Sequence, residues 1–333
     1  MLTVTVYIKN NCVECEQVIL ELKELADEYP HRVVVVNIDD TPELYADTFQ
    51  GLPVVKIGPY TLHYPFTKQE IMMSLGAARD RSEHLNSVGD QTYLRKVEHS
   101  RQISRTDMVS LWLSKHYLLL INLFLAIFVG LPFLAPVLMK YHFETSAKVI
   151  YSVYSPLCHQ LAFRSWFLFG EQPYYPRDLA GIKNILTYED IISSSKIDTT
   201  VARRFIGNEV TGYKVALCER DVAIYGSLLL FGLIFSISRR KIRKLPWFIW
   251  VAVGLIPIAV DGLSQLPGLA TGWPNWLIIR ESTPLLRTIT GSLFGLTTGW
   301  YLFPLLEESM KDARRLVLSK MAVVKSLNGE SKV

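Results

Sequence analysis

The run YLLLINLFLAIFVGLPFLAPVLM, residues 117–139, holds 23 residues in succession without a charge. Wound as an α-helix, it is long enough to cross a hydrocarbon core of roughly 30 Å. It therefore reads as a membrane span and sets the frame for the rest of the chain. Three further stretches share its character: VAIYGSLLLFGLIFSIS (222–238), PWFIWVAVGLIPIAVDGLSQL (246–266) and PLLRTITGSLFGLTTGWYLFPLL (284–306). A fifth, AKVIYSVYSPLCHQLAFRSWFLFG (147–170), is interrupted by Pro156, His159 and Arg164. It either spans or enters and leaves on one face.

Charge bias orients these segments. RRKIRK (239–244) carries five basic residues in one short loop, and such loops stay cytoplasmic. Arg95, Lys96, Arg101, Arg105 and Lys115 precede the first span, and Arg314, Arg315, Lys320 and Lys325 follow the last. Placing all three clusters inside requires four spans, with 147–170 not crossing and loop 171–221 outside. Five spans would instead put the first 116 residues and their basic flank outside. The start MLTVTVYIKNN has no basic n-region followed by an apolar h-region, so no secretory signal is expected there. The expectation is an inner-membrane, multi-pass protein with both termini cytoplasmic.

A chain that is half hydrophobic yet 20% charged also has to contain a water-soluble part. Residues 1–80 supply it. TVTVYI (3–8) alternates as a strand, and CVECEQVILELKELADEY (12–29) carries Val18, Ile19, Leu22 and Leu25 at helical spacing. RVVVVNI (32–38) reads as a strand buried on both faces. TPELYADTF (41–49) opens as a helix with Thr41 as N-cap and Pro42 next. LPVVKI and TLHY form a hairpin, and TKQEIMMSLG (67–76) a closing helix. Residues 81–116 are a charged linker, helical in part. A net charge of +4, scattered along the chain, gives no case for nucleic acid.

The order βαβαββα, with a Cys-x-x-Cys at the first strand-to-helix junction, points to redox chemistry. Unpaired N–H groups and the macrodipole at a helix N-terminus favour an anion, so an exposed Cys12 is expected to ionise and attack, with Cys15 as the resolving thiol. Glu14 and Glu16 oppose that ionisation. Half of a zinc site, or a redox-silent docking domain, remain the other readings of the same pair.

Residues 2–77 resemble the glutaredoxin-like branch of the thioredoxin superfamily, carried by Cys12, Cys15 and Leu52-Pro53-Val54. The resemblance implies a thioredoxin-like α/β fold, a cis Pro53 beside the dithiol, and a strand-like edge that takes a protein disulfide or small thiol substrate. Val13-Glu14 replaces the family's usual residues between the cysteines, and its Gly-Gly-Asp glutathione patch is absent from KIGPYTLHYPFTKQE.

Polar residues in apolar segments are costly and mark candidate sites. On the four-span reading they converge near the outer face: Cys158-His159-Gln160 and Arg164, Cys218-Glu219-Arg220-Asp221 with Tyr225, Asp261 with Gln265, and Arg280-Glu281 with Arg287. Cys158, His159, Cys218 and Asp261 are acceptable ligands for zinc or another divalent metal. Arg164, Arg220, Gln265, Arg280 and Arg287 form a candidate substrate-binding set. A Cys158–Cys218 disulfide and a purely structural polar network are the alternatives. Residues 146–306 resemble an uncharacterised prokaryotic membrane family, domain of unknown function 2085, through CHQ, FRS, CERDVAIY, DGLSQL and LLRTITGSLFG. That resemblance implies architecture rather than chemistry.

The remaining segment, 307–333, is a basic amphipathic tail. It places Met310, Ala313, Val317, Met321, Val324 and Leu327 on one helical face, to lie on an anionic inner leaflet or against the amino-terminal domain. The leading expectation for the whole is a membrane-tethered thiol–disulfide oxidoreductase working through the cytosolic dithiol. A metal-dependent membrane enzyme or transporter regulated by the head, and a scaffold with a docking head, are its rivals.

Overall fold

The computed structural model describes residues 2–40, 51–100, 102–194, 197–266 and 280–328. They fall into two compact units, Met1–His116 with Ser309–Val333, and Tyr117–Glu308. The helix expected over 41–49 lies outside the described residues.

In the first unit, β1 (Leu2–Ile8), α1 (Val13–Glu24) and β2 (His31–Asn37) form a parallel βαβ turn, and β3 (Val54–Ile57) and β4 (Tyr60–His63) form the hairpin. The sheet order is β2-β1-β3-β4, with β3 antiparallel to β1. This is an α/β sheet of the thioredoxin-like kind. One face buries Val4, Val6, Val55 and Ile57 against Val18, Leu22 and Leu25 of α1 and Ile71, Leu75 and Ala78 of α2 (Lys68–Ser87). Thr67 caps α2, since its hydroxyl accepts from Glu70 N while Glu70 Oε2 accepts from Thr67 N at 2.7 Å. A short helix, α3 (Gln91–Ser100), follows in the linker.

The other face of the sheet presents Tyr7, Val34, Val36, Ile38 and Val54, and it is not left wet. Leu318, Ala322, Val323 and Leu327, from the last turns of the chain's final helix, pack against it. Polar contacts fix the fit: Tyr7 Oη lies 2.5 Å from Ser319 Oγ, and Arg32 donates to Leu327 O at 2.8 Å. Lys320 donates to Asp107 Oδ2 at 2.5 Å, and Arg314 to Ser114 O at 2.8 Å. The Lys320 hydrogen bond, with the Ser104 N–H, holds the Asp107 carboxyl down at about 2. Of the two readings of the tail, the structure adopts docking on the amino-terminal domain. Its apolar face covers the sheet, so Val34 and Val36 of β2 are buried on that side, while Val33 and Val35, on the side expected to be equally buried, are half-buried.

The second unit contains the apolar part of α4 (Arg105–Lys140), then α5 (Glu144–Tyr154), α8 (Glu219–Ile237), α9 (Trp247–Leu263) and the first half of α10 (Pro284–Leu327). Among the described residues, two helices, α4 and α8, are long and apolar enough to cross a membrane. Only 28% and 22% of their most apolar windows are buried, whereas the core helix of a soluble protein is mostly buried. Leu119, Leu123, Phe124 and Ile127 of α4 face outward, as lipid contact requires. The interior of α9 runs as π-helix over Trp250–Leu255.

Helices α8 and α10 meet along glycines. A Cβ on Gly295 would lie 2.1 Å from Ile224 O, and one on Gly291 would lie 2.8 Å from Arg220 O. Gly299, one further turn along, faces Phe231. Small residues at intervals of four let two backbones approach in lipid, where hydrophobic exclusion gives no drive to associate.

The interrupted segment resolves into two parts. Helix α5 has 11 residues, so it is about 16 Å long and too short to cross the core. The chain then turns through Ala162–Arg164 into strand β5 (Ser165–Leu168). The stretch 171–221, expected as a loop, is instead a folded cap. It holds α6 (Tyr188–Ile192), α7 (Thr199–Arg204), β6 (Gly207–Asn208) and β7 (Gly212–Cys218), and its sheet has the antiparallel order β5-β7-β6. Phe163, Phe167, Tyr175 and Tyr188 make its core.

Candidate functional sites

The dithiol sits where β1 hands over to α1. Asn11 takes a left-handed φ of 56°, which asparagine tolerates, and turns the chain into the helix. Asn10 N donates to Asp39 at 2.8 Å, and Asn37 donates to the Asn10 side chain at 2.7 Å, so the loop is pinned to the end of β2. Cys12 is the N-cap of α1, its sulfur accepting from Cys15 N at 3.2 Å. Cys12 and Cys15 are joined as a disulfide. The Leu52–Pro53 peptide is cis, as the family resemblance implies, and the adjoining Val54 pairs with Tyr7 near the end of β1.

One expectation fails here. Cys12 is 5% exposed and Cys15 1%, so the sulfur expected at the surface is covered. As cap and disulfide partner it is turned inward, and Val13, 75% exposed, takes the outward position. The Glu14 carboxylate stands 3.7 Å from the Cys12 sulfur, where it disfavours a thiolate.

In the second unit the five residues of the expected substrate-binding set come together, but they are spent on one another and on acids. Arg164 holds both Glu281 oxygens at 2.8 Å. Arg287, 2% exposed, is bonded to Glu281, to Glu219 at 3.2 Å and to Gln265 Oε1 at 3.1 Å. Asp261, 3% exposed, is bonded to Arg220, lies 3.4 Å from Arg280 and accepts from Gln265. With every arginine facing a carboxylate, the arrangement fits a structural network better than an open anion site. It ties the broken segment, α8, α9 and the start of α10 together.

Beside that network stand two free thiols, Cys158 and Cys218. Cys218 N donates to Cys158 Sγ at 3.3 Å, and Asp221 N donates to Cys218 Sγ at 3.4 Å. The two sulfurs and an Asp221 carboxylate oxygen lie within 4.8 Å of one another. The Cys158 thiol bonded to it, then burial, push the Cys218 thiol well above its ordinary range.

His159 and Asp261 do not join these thiols, so the expected four-ligand set is not assembled. Asp261 is held by arginines. His159 is exposed because the chain reverses behind α5: Gln160 adopts a φ of 51°, and its amide donates to Tyr151 O at 3.0 Å and Ala216 O at 2.9 Å. That anchor turns Cys158 in and His159 out.

Two residues were missed as site members. Asp221, named only as part of the polar cluster, is the third group at the thiols. Its spacing three after Cys218, which puts both at one helix start, was the available signal. Lys214, 1% exposed in β7, gave no signal beyond being a charge inside the run GYKVALC. Its ammonium donates to Gln160 O and Arg203 O, each at 2.7 Å, and burial pulls its pKa down to about 7.

Comparison with known proteins matches two separate parts of the chain. A family described as Glutaredoxin-like domain (DUF836) covers residues 3–78. One described as Predicted membrane protein (DUF2085) covers residues 203–301. The uncharacterized protein MJ1492 of Methanocaldococcus jannaschii is 30% identical over 203 residues, which span 59% of this chain and 96% of that protein. No solved structure matches significantly.

Proposed function

Because the chain belongs to the DUF2085 family of predicted membrane proteins and carries a glutaredoxin-like domain at its amino end, we propose that it is a membrane-tethered thiol–disulfide oxidoreductase. The observation that carries this reading is the Cys12–Cys15 disulfide at the start of α1, with cis Pro53 on the neighbouring strand. In the reduced protein, Cys12 thiolate attacks a disulfide of a protein or small thiol substrate. A mixed disulfide forms, and the first substrate sulfur leaves as a thiolate that takes up a proton. Cys15 thiolate then attacks the Cys12 sulfur and expels the second substrate sulfur. Two electrons have passed from the dithiol to the substrate, and the pair ends as the disulfide seen here. A reducing thiol of the same compartment restores it by the reverse steps.

Access decides the matter, since the oxidised Cys12 is covered. The test uses the full chain in detergent. Cys15→Ser should trap a mixed disulfide with a model peptide disulfide, and Cys12→Ser should not. If the reduced wild type neither reduces insulin nor traps peptide through Cys12, the redox reading falls and a docking head replaces it.

The same reading places four crossings between the two ends of the chain. Residues 2–116 and 309–328 share one compact unit, which supports departure and return on the same side and hence an even number of crossings. With RRKIRK (239–244) inside, α4, α8, α9 and the first half of α10 cross, and both termini are cytoplasmic. In a background without native cysteines, Glu83→Cys should react with an impermeant maleimide only after cells are opened, and Glu209→Cys should react in intact cells. The opposite pattern refutes this topology.

A further inference from the structure

We infer that Cys158, Cys218 and Asp221 form a binding site for a zinc-class divalent cation, separate from the dithiol and independent of its redox role. Two sulfurs and a carboxylate oxygen converge to within 4.8 Å of one another, from the turn after α5 and the start of α8. On a tetrahedral zinc centre with bonds near 2.3 Å, two sulfurs stand about 3.8 Å apart, so small side-chain rotations complete the arrangement.

The sulfurs face backbone donors at a helix start. Each sulfur accepts a backbone N–H, Cys158 from Cys218 and Cys218 from Asp221. Both sit at the N-terminus of a 19-residue helix, whose positive end favours anions. The ligand types select the ion. Two thiolates favour zinc or cuprous copper, while a carboxylate is a poor copper(I) ligand and an ordinary zinc one. The fourth position is left to water or a substrate group.

A disulfide between Cys158 and Cys218 is the competing use of the same sulfurs. Asp221 decides between them, because a carboxylate brought to two thiols gives an S–S bond nothing and gives a cation its third ligand.

The experiment uses the full chain in detergent with Cys12→Ser and Cys15→Ser, so that any thiolate signal comes from the second pair. Cobalt(II) is the probe. We expect one equivalent bound with a thiolate-to-cobalt charge-transfer band, displaced by zinc, and protection of both cysteines from alkylation. Cys158→Ser should abolish the band, and Asp221→Asn should weaken cobalt binding at least tenfold. His159→Ala should leave both unchanged. Asp221→Asn keeps shape and volume, so it remains informative if the cysteine variants fail to fold. Failure to bind cobalt stoichiometrically overturns the proposal, as does binding indifferent to Asp221→Asn, or recovery of Cys158 and Cys218 as a disulfide from protein purified without reductant.

Discussion

Replacing Arg287 by methionine is the sharpest test of the network that joins the broken segment to the helices. Arg287 is 2% exposed and serves two carboxylates, Glu219 and Glu281, which are 1% and 3% exposed. The two would suffer differently. Glu281 keeps Arg164, bound to both its oxygens at 2.8 Å. Glu219 loses the cation bonded to it among the described residues, and its other oxygen already lacks a hydrogen-bond partner there. A buried charge stripped of its partner costs roughly 3–5 kcal/mol. For a unit the size of residues 117–308 that is a fall in Tm on the order of 10 °C. Arg164→Met should cost nearer 2 kcal/mol, since Glu281 retains Arg287 and only charge-assisted bonds are lost. Adding Glu219→Gln to Arg287→Met should restore more than half of the loss, because a neutral amide is far cheaper to bury. The assay follows the reaction of Cys158 and Cys218 with a fluorogenic maleimide on heating in detergent, in the Cys12→Ser, Cys15→Ser background. An Arg287→Met protein within about 2 °C of its parent, or one that Glu219→Gln makes worse, would refute the reasoning.

Three further outcomes follow. Gly295→Ala, which puts a methyl 2.1 Å from Ile224 O, should cost about 1–3 kcal/mol in the same melt, while Gly226→Ala, with open space around its Cβ, should cost little. Lys214 has a folded pKa of about 7 against an ordinary 10.5, so the unfolded chain holds the extra proton between those values. Stability should therefore rise with pH from 7 to 10, by at most about 4–5 kcal/mol, and be lost again as pH falls through 7; Lys214→Met should flatten this slope in circular-dichroism melts, and an unchanged slope would count against it. Glu14→Gln should speed alkylation of reduced Cys12 at neutral pH a few-fold, by removing a negative charge 3.7 Å from the sulfur; an unaltered rate would mean that Glu14 turns away once the disulfide opens.

What could be read from the sequence had local causes. The valine run of β2, the helical spacing of Val18 and Leu22, and the Cys-x-x-Cys at a strand end each follow from periodicity or chain position, and each recurs in the structure. Long uncharged runs gave α4 and α8 by composition alone. What escaped depends on contacts distant in the chain. The covering of Cys12 follows from which way a capping sulfur turns. The inward Cys158 and outward His159 follow from Gln160 reaching Ala216, and no spacing rule encodes that reach. Lys214 is buried because β7, the central strand of its sheet, is buried along nearly its whole length, which the run GYKVALC alone does not signal. The glycines at 291, 295 and 299 were legible as a small-residue repeat and went unread as one.

The two cysteine sites rest on one local device and part at a single position. Cys12 and Cys218 are each the N-cap of a helix, and each sulfur accepts the backbone N–H of the residue three further on. In α1 that residue is Cys15, so the group one turn away is another sulfur. The pair can then trade an S–S bond within the loop, with no partner from elsewhere in the fold. In α8 that residue is Asp221, a hard anionic oxygen that can neither form nor break such a bond, and the second sulfur comes from Cys158, 60 residues away. Bringing three potentially anionic groups together across that separation raises their mutual repulsion, and the neighbouring Cys158 thiol and burial hold the Cys218 thiol well above its ordinary range, a cost that a bound cation would offset. On the two proposals above, the same helix start would serve electron exchange where the third residue on is cysteine, and cation binding where it is aspartate.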